Sequence, residues 1–169
     1  DPATQTSRPV PAALRKLFTD YEAGHPVVTV HVGAWSALGL DAAQVRQSVF
    51  VRELGIDPSV EADAQDSAAV HAVLRNALGM PVATGRLLPS LAGVARIGRM
   101  AVERPLRGAG WGRMVLDALL EAARARGDRQ VVLDAQADAQ GFYRRAGFVA
   151  HGEPFVEAGI HHVSMVRDF

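Results

Sequence analysis

The sequence predicts a single domain of mixed α/β (α+β) class, with a mostly antiparallel sheet, one parallel pair of strands and flanking helices. Three strand-like runs, 70–75, 82–88 and 94–102, follow one another with short connections. That arrangement is typical of an antiparallel meander. An amphipathic helix then separates the third run from a buried strand at 130–135, and two strands joined through a helix run parallel.

Composition limits the kind of protein. The 169 residues are 49% apolar and 21% charged, which excludes a largely disordered chain. Eighteen basic residues balance eighteen acidic ones, which argues against a strongly basic nucleic-acid binder or a polybasic membrane anchor. The absence of cysteine excludes disulfides, zinc–thiolate sites and a cysteine nucleophile. No run reaches the roughly 20 apolar residues of a membrane helix, and we expect a soluble cytoplasmic protein.

The N-terminal part divides into an arm and the start of the domain. Residues 1–26 are expected to form a loose arm and a short helix over 11–21, whose apolar residues fall at helical spacing. The domain then spans 27–169 and begins with a β-branched strand at 27–32. Asp41 is the expected N-cap of a second helix that ends near Gly55.

The C-terminal part alternates helices and strands. A helix over 112–126 carries one apolar face and ends at Gly127. A second helix follows the strand at 130–135 and spans 137–146. The last two strands are expected at 148–149 and 160–166.

The most informative segment is a glycine-rich loop between a strand and a helix. It reads Arg107-Gly108-Ala109-Gly110-Trp111-Gly112. Alternate glycines allow a tight turn that presents successive N–H groups in one direction, at a helix N-terminus that favours an anion. Arg107 and Arg113 flank the loop and are suited to phosphate oxygens. A diphosphate is the expected ligand.

Several interpretations of the loop compete. A nucleoside-triphosphate loop requires Gly-Lys-Ser/Thr, and the only lysine of the chain, Lys16, lies far away. A dinucleotide site requires G-x-G-x-x-G with an acidic residue about 20 positions on; the glycine order here is G-x-G-x-G, although Asp134 lies at about that distance. The third candidate is the pyrophosphate of coenzyme A. The fourth is a glycine-rich turn that binds nothing.

Here the sequence resembles the GNAT superfamily of N-acetyltransferases. The loop matches the R/Q-x-x-G-x-G/A pattern of that family, and 97–102 resembles the strand before it. Residues 142–148 match its Tyr-x-x-x-Gly-Phe ending, with Ala139 four residues before the tyrosine. Segments 49–56 and 152–162 resemble the ElaA-like branch. The resemblance covers roughly residues 27–169.

The resemblance implies a fold and a cofactor. In the GNAT fold the fourth and fifth strands run parallel and splay apart, and acetyl-CoA lies in the wedge. By position, the amides from Arg107 to Arg113 should hold the pyrophosphate, and backbone groups of the fourth strand should pair with the pantetheine arm. Gln136 stands where many relatives have asparagine. The implied coenzyme-binding residues are Met100, Ala101, Val102, Arg107, Gly108, Ala109, Gly110, Trp111, Gly112, Arg113, Gln136 and Phe142.

The implied activity is an acetyl-CoA-dependent transfer of an acetyl group to a primary amine of a small-molecule or amino-acid-like acceptor. An alkyl ammonium must first lose a proton, which costs about 4.6 kcal/mol at pH 7. The amide of Val102 is the best candidate to stabilise the tetrahedral oxyanion. Tyr143 is the residue that the family pattern supplies as general acid for the leaving thiolate.

The general base and the acceptor side are less defined. Many relatives carry a glutamate on the fourth strand, but 94–102 contains no carboxylate, and Glu53, His71 and a water chain are candidate bases. By resemblance, Glu157, His161 and His162 line the acceptor side. Adjacent strand histidines face opposite ways, so no metal site is predicted. Five carboxylates between Glu53 and Asp66 either attract a cationic amine or form a solvated loop with N-capping Asp residues.

Two other classes of function remain open at this point. One is a non-catalytic coenzyme A-binding or regulatory module of the same fold. The other is a dinucleotide-dependent oxidoreductase, which the glycine order disfavours. No nucleic-acid or membrane partner is expected, and an exposed sheet edge makes a homodimer plausible. The sequence does not identify the acceptor amine.

Overall fold

The computed structural model describes residues 9–61 and 63–169, with the backbone alone at Val60. One eight-stranded sheet runs in the order β1-β2-β3-β4-β5-β8-β6, and β7 pairs with β8. Its strands are β1 (Val28–Ala34), β2 (Val70–Asn76), β3 (Pro81–Leu87), β4 (Val94–Val102), β5 (Gln130–Gln136), β6 (Val149–Ala150), β7 (Phe155–Glu157) and β8 (Ile160–Asp168).

Five α-helices accompany the sheet in the described part of the chain: α1 (Ala12–Glu22), α2 (Trp35–Arg46), α3 (Pro58–Glu61), α4 (Trp111–Arg126) and α5 (Gln140–Arg145). A π-helical turn, Gln47–Glu53, continues α2, and short 3₁₀ turns cover Ala64–Ala68, Arg104–Leu106 and Ala137–Ala139. None of these helices within 9–61 and 63–169 is long and apolar enough to cross a bilayer.

The predicted fold class is confirmed. Strands β1 to β4 form an antiparallel meander, with Val73 opposite Thr84 and Thr84 opposite Ala101. Strands β4 and β5 are parallel, and β5 pairs with β8 in the antiparallel direction.

The core lies between the sheet and α4. The apolar face of that helix is fully buried, and Gly127 ends it in the left-handed conformation with φ of 88°. On β5 the core side chains alternate with half-buried ones, as expected for a strand with one buried face. The residues that α4 buries are Val115, Leu116, Leu119, Leu120 and Ala123.

Three local predictions were wrong. Asp41 does not cap α2, because that helix begins at Trp35; Asp41 instead pairs with Arg75 of β2. The short strand β7 was missed, since Phe155–Glu157 has no buried residue and is defined by its pairing with β8. The helix expected over 137–146 is a 3₁₀ turn followed by the six-residue α5.

The parallel pair opens into a cleft. Only three residues of β4 pair with β5, the last being Arg96 opposite Val132, after which the strands diverge. Just beyond this point β4 contains a bulge, because Arg86 lies opposite Gly98 while Thr84 lies opposite Ala101. The bulge holds Arg99 at φ of 53°, in the left-handed region. The diverging half of β4 therefore keeps a strand edge that β5 does not cover.

Candidate active site

A cleft of about 1030 Å³ lies where β4 and β5 diverge, and we call it the splay cleft. Its walls come from the outer half of β4, the end of β5, the glycine loop (residues 107–112), the π-helical turn and the β7–β8 hairpin. All of the expected coenzyme-binding residues line it except Ala109. Segments that lie far apart in the sequence thus meet at one opening in the sheet.

The glycine loop presents a row of backbone donors. Gly108 and Gly110 take φ of 86° and 84°, and a Cβ atom at either position would meet no atom within 4 Å. Among the described residues, the amides of 108–112 donate to no other group of the chain. Backbone amides that converge at the start of the 16-residue α4 form an anion site.

Two of the seven amides expected to act as donors, at the two ends of the row, form hydrogen bonds within the chain. The Arg107 amide donates to the Arg104 carbonyl at 3.4 Å, and the Arg113 amide donates to the Gly110 carbonyl at 3.0 Å. Both are internal bonds that close turns. The available donors are therefore the amides of 108–112.

Both flanking arginines are paired with carboxylates of the chain. Arg107 donates to both carboxylate oxygens of Glu53 at 2.7 Å, and its Nε atom donates to the Val102 carbonyl at 3.0 Å. Arg113 donates to Asp117 at 2.8 Å. These guanidinium groups are positioned beside the loop, but their charges are already balanced.

The edge of β4 beyond the bulge faces the cleft. The Glu103 amide donates to the Val82 carbonyl, and polar groups of successive residues in an antiparallel pair point to alternate sides. The N–H and C=O groups of Val102 therefore point away from β3, toward the cleft. The bond from Arg107 to the Val102 carbonyl agrees with this direction. Met100 and Ala101 line the same wall.

Tyr143 lies between two aromatic rings at the cleft wall. Its side chain is only 8% exposed, and its ring meets Phe142 and Phe148 edge-on at centroid distances of 4.9 and 5.9 Å. Burial raises the pKa of the Tyr143 phenol to about 12. The phenol therefore keeps its proton throughout the neutral pH range.

Three of the five candidate bases and acceptor-side residues line the cleft and two do not. Glu53, Glu157 and His162 line it, whereas His71 and His161 lie outside. His71 is 1% exposed; its Nε2 atom lies 2.9 Å from the Asp66 carbonyl, and its ring packs against Trp35. Burial lowers the pKa of His71, so this imidazole is a neutral packing group. His161 is exposed on the opposite face of β8.

Glu53 lines the cleft as a paired anion. The hydrogen bonds from Arg107 hold the pKa of its carboxyl group below the ordinary value. A carboxylate stabilised in this way accepts a proton poorly near neutral pH. Its geometry favours a partner that balances the charge of Arg107 over a general base.

A largely buried network of arginines and carboxylates, which no sequence pattern indicated, lies beside the bulge and lines part of the cleft. Arg46 donates to Glu61 and Asp66, and Arg86 donates to Asp63 and Asp66. Arg99 of the bulge also donates to Asp63, at 3.1 Å. We call Arg46, Arg86, Arg99, Glu61, Asp63 and Asp66 the arginine network. Its three positive and three negative formal charges cancel.

The network corrects the expectation for part of the acidic segment, although Asp57 and Asp63 do cap turns by accepting from the amides of Ser59 and Gln65. Glu61 and Asp66 are buried, so the segment is not simply a solvated loop. Hydrogen bonds from Arg86 lower the pKa of Asp63. Burial alone would raise the pKa of Asp66, but hydrogen bonds from Arg46 and Arg86 hold it below its ordinary value. Anions balanced in this way do not provide a net field for a cationic amine.

His162 is the histidine of the tail that faces the cleft. It stacks on Phe155 with a centroid distance of 5.8 Å, and Phe155 is its partner across the β7–β8 pair. Because successive side chains of a strand point to opposite faces, the sequence already placed His161 and His162 on different faces of β8. Within 9–61 and 63–169, no group of three or more histidine and acidic side chains is arranged to hold a metal ion.

Comparison with known proteins identifies the family. The family model described as an acetyltransferase (GNAT) domain matches residues 60–169. The N-acetyltransferase YjcF of Bacillus subtilis is 33% identical over 129 residues, which is 76% of this chain and 91% of that protein. The crystal structure of Escherichia coli ElaA superposes with a TM-score of 0.75 at 29% identity, covering 83% of this chain and 99% of ElaA.

A further similar structure is that of an N-acyltransferase. An acyl-CoA N-acyltransferase from Pseudomonas aeruginosa has a TM-score of 0.73 at 33% identity, covering 83% of this chain and 99% of that one. The chain therefore belongs to the GNAT acetyltransferase family, and the expected resemblance to ElaA is confirmed. It is an acetyltransferase that uses acetyl-CoA.

Proposed function

We propose that this enzyme transfers the acetyl group of acetyl-CoA to a primary amine of a small-molecule or amino-acid-like acceptor, and that residues 27–169 form the acetyltransferase domain. The observation that supports the coenzyme site is the row of amides at 108–112, which have no acceptor among the described residues. A pyrophosphate supplies the oxygens that such a row needs. The thioester then lies in the splay cleft beside the uncovered edge of β4.

The chain offers two groups for the acyl-transfer step. The Val102 amide faces the cleft and is our candidate donor to the oxyanion that forms when nitrogen attacks the thioester carbonyl. Tyr143 holds its proton at neutral pH and is our candidate donor to the departing thiolate. Because its pKa is about 12, the phenol transfers its proton only as negative charge develops on sulfur.

Calorimetric titration with acetyl-CoA, with NAD as a parallel control, tests the site. We expect micromolar binding of acetyl-CoA by the wild type and no binding of NAD. Gly110→Asp should abolish binding, because it places a negative charge among the donors at the start of α4. Gly127→Asp is the matched control, since Gly127 has nearly the same φ and equally open surroundings but lies at the other end of α4.

The outcomes separate the interpretations of the loop. Equal loss in both glycine variants would assign the effect to backbone strain and would remove the loop from the coenzyme site. Once binding is shown, a panel of primary amines, scored by release of the coenzyme A thiol, tests the acceptor class. Binding without thiol release for every amine in the panel would contradict the amine acceptor.

Location and assembly stay predictions of the same proposal. We expect a cytoplasmic enzyme with neither nucleic acid nor membrane as partner. Within residues 9–61 and 63–169, strand β1 pairs with β2 alone and leaves an outer edge that is compatible with a homodimer. Sedimentation of the purified protein distinguishes a dimer from a monomer.

A further inference from the structure

We infer that His162 is the general base that deprotonates the acceptor, and that Glu157 beside it binds the ammonium group of the acceptor. This inference rests on the proposed amine acceptor and assigns the step that the sequence left without a residue. It would make the β7–β8 hairpin the amine-recognition element of the site.

The hairpin places these two side chains on one face. Phe155 lies opposite His162 and Glu157 lies opposite Ile160, so the four residues alternate with Val156 and His161 on the other face. Glu157 and His162 are diagonal neighbours, a relationship with a separation of about 7–8 Å. Ala158 and Gly159 close the hairpin with positive φ at both positions, as a tight two-residue turn requires.

The hydrogen bonding of the ring fixes its reactive nitrogen. The Nδ1 atom of His162 lies 2.9 Å from the Ile160 carbonyl, which only accepts hydrogen bonds. The neutral ring must therefore carry its proton on Nδ1, which leaves the lone pair on Nε2 available to accept a proton. Stacking on Phe155 holds the plane of the ring.

The other carboxylates at the cleft are mostly paired with cations. Glu53, Glu61, Asp63 and Asp134 each bind an arginine. Within 9–61 and 63–169, the acidic or imidazole groups that line the cleft and form no ion pair are Asp138, Glu157 and His162. Of these, an imidazole is the group best matched to proton exchange near neutral pH.

The neighbours of His162 are compatible with this role. Gln136 lies opposite it on β5 and is uncharged, and Glu157 is the charged group that shares its face on β7. The next charged group on β5 is Asp134, which is balanced by Arg96 of β4 and accepts a hydrogen bond from Ser164 at 2.7 Å. On the elements that contact β8, the acidic groups of the described residues that line the cleft without an ion pair are Glu157 on β7 and Asp138 in the turn after β5.

These groups account for every proton that moves in the reaction. His162 takes one proton from the ammonium group and releases it to solvent. The free nitrogen attacks the thioester carbonyl and forms the C–N bond, and the C–S bond breaks when the resulting oxyanion collapses to the amide. Tyr143 donates a proton to the thiolate, and a second proton lost from the nitrogen replaces it. One proton is released for each acetyl group transferred.

Rate measurements over a range of pH test the assignment, with an amine that the acceptor panel identifies. We expect His162→Gln to lower kcat/KM about a hundredfold or more at pH 7. The deficit should shrink as the pH approaches the pKa of the free amine, which is about 10.4 for an alkyl amine, because the acceptor then loses its proton without a base. Glu157→Gln should raise KM and leave kcat nearly unchanged.

His161→Gln is the matched control, since it makes the same change one residue away on the face outside the cleft. We expect it to behave as the wild type at every pH. A deficit in His162→Gln that stays constant across the pH range, or no deficit, would overturn the assignment.

A second measurement separates this inference from the proposed function. Nitrogen chemical shifts of the His162 ring in the free enzyme report which nitrogen carries the proton. A proton on Nδ1 supports the inference, and a proton on Nε2 overturns it, whether or not any amine is acetylated. Failure of every amine in the panel contradicts the proposed acceptor and leaves the ring measurement to decide the role of His162.

Discussion

Arg107 and Glu53 form a two-bond ion pair, 2.7 Å in each contact, that joins the glycine loop to the end of the π-helical turn. The two residues are 54 positions apart in the chain. Their pairing connects the meander side of the sheet to the start of α4 across the mouth of the splay cleft. It also balances the charge of one of the two guanidinium groups that flank the proposed phosphate site.

Removing the carboxylate should release that guanidinium. We expect Glu53→Gln to strengthen acetyl-CoA binding about two- to fivefold, because exposed ion pairs contribute roughly 0.2–1 kcal/mol and Arg107 becomes available to the phosphates. Calorimetric titration measures the change. Asp117→Asn releases Arg113 in the same way and provides a parallel test. Weaker binding in Glu53→Gln would show instead that the pair holds the loop in shape.

Loss of the Tyr143 hydroxyl should slow turnover without weakening coenzyme binding. Tyr143→Phe keeps the ring between Phe142 and Phe148 but removes the proton donor. We expect at least a tenfold decrease in thiol release with an unchanged Kd for acetyl-CoA. The control is Tyr21→Phe, the same change on an exposed tyrosine of α1. Unchanged turnover in Tyr143→Phe would remove this residue from the mechanism.

The raised pKa of Tyr143 has a consequence for alkaline stability. The folded protein holds the phenolic proton up to about pH 12, whereas an unfolded chain releases it near the ordinary value of 10. The stabilising contribution is therefore complete below pH 10 and is lost as the pH rises toward 12. The chain has two tyrosines, so the difference in phenolate absorbance between wild type and Tyr143→Phe isolates this titration. A midpoint near 10 would contradict the observed burial.

The arginine network should make the free energy of unfolding depend on pH in the acid range. Asp63 and Asp66 have lowered pKa values, so their contribution is present above the ordinary carboxyl pKa and is lost as the pH falls through the folded value. We expect Asp63→Asn to reduce the free energy of unfolding by about 1.5–3 kcal/mol at pH 7. Its deficit should shrink as the pH falls below about 4 and through the lowered pKa of the folded carboxyl group, because the wild-type group then also becomes uncharged.

Urea unfolding at several pH values measures this effect. Asp117→Asn is the control, because its exposed pair with Arg113 within α4 is expected to contribute less than about 0.5 kcal/mol. A deficit of the same size at pH 7 and in acid would show that Asp63 acts through packing.

The bulge in β4 requires a glycine at position 85 of the neighbouring strand β3. A Cβ atom at Gly85 would lie 2.4 Å from the Sδ atom of Met100 and 2.8 Å from Leu119. We expect Gly85→Ala to destabilise the fold by about 1–3 kcal/mol and to weaken acetyl-CoA binding, because Met100 and α4 must move. Thermal unfolding and calorimetry measure the two effects. Gly141→Ala, whose Cβ would meet only Arg145 at 3.6 Å, should be nearly neutral.

The sequence determined the features that depend on local pattern. Alternating and helical periodicities place β2, β3, β4, α4 and β5 close to their observed bounds, because those residues must bury one face whatever the rest of the chain does. The glycine loop was predictable for a related reason. Positive φ at Gly108 and Gly110 is a backbone requirement that glycine meets without steric cost.

Only the tertiary structure decided which charges are available. Glu53 and His71 were candidate bases in the sequence, but Arg107 neutralises the first and burial beside Trp35 removes the second. Their partners lie on other elements, and spacing along the chain carries no information about such contacts. For the same reason β7, the arginine network and the choice of His162 over His161 became visible only once the strands were paired, since register decides which side of a strand meets the cleft.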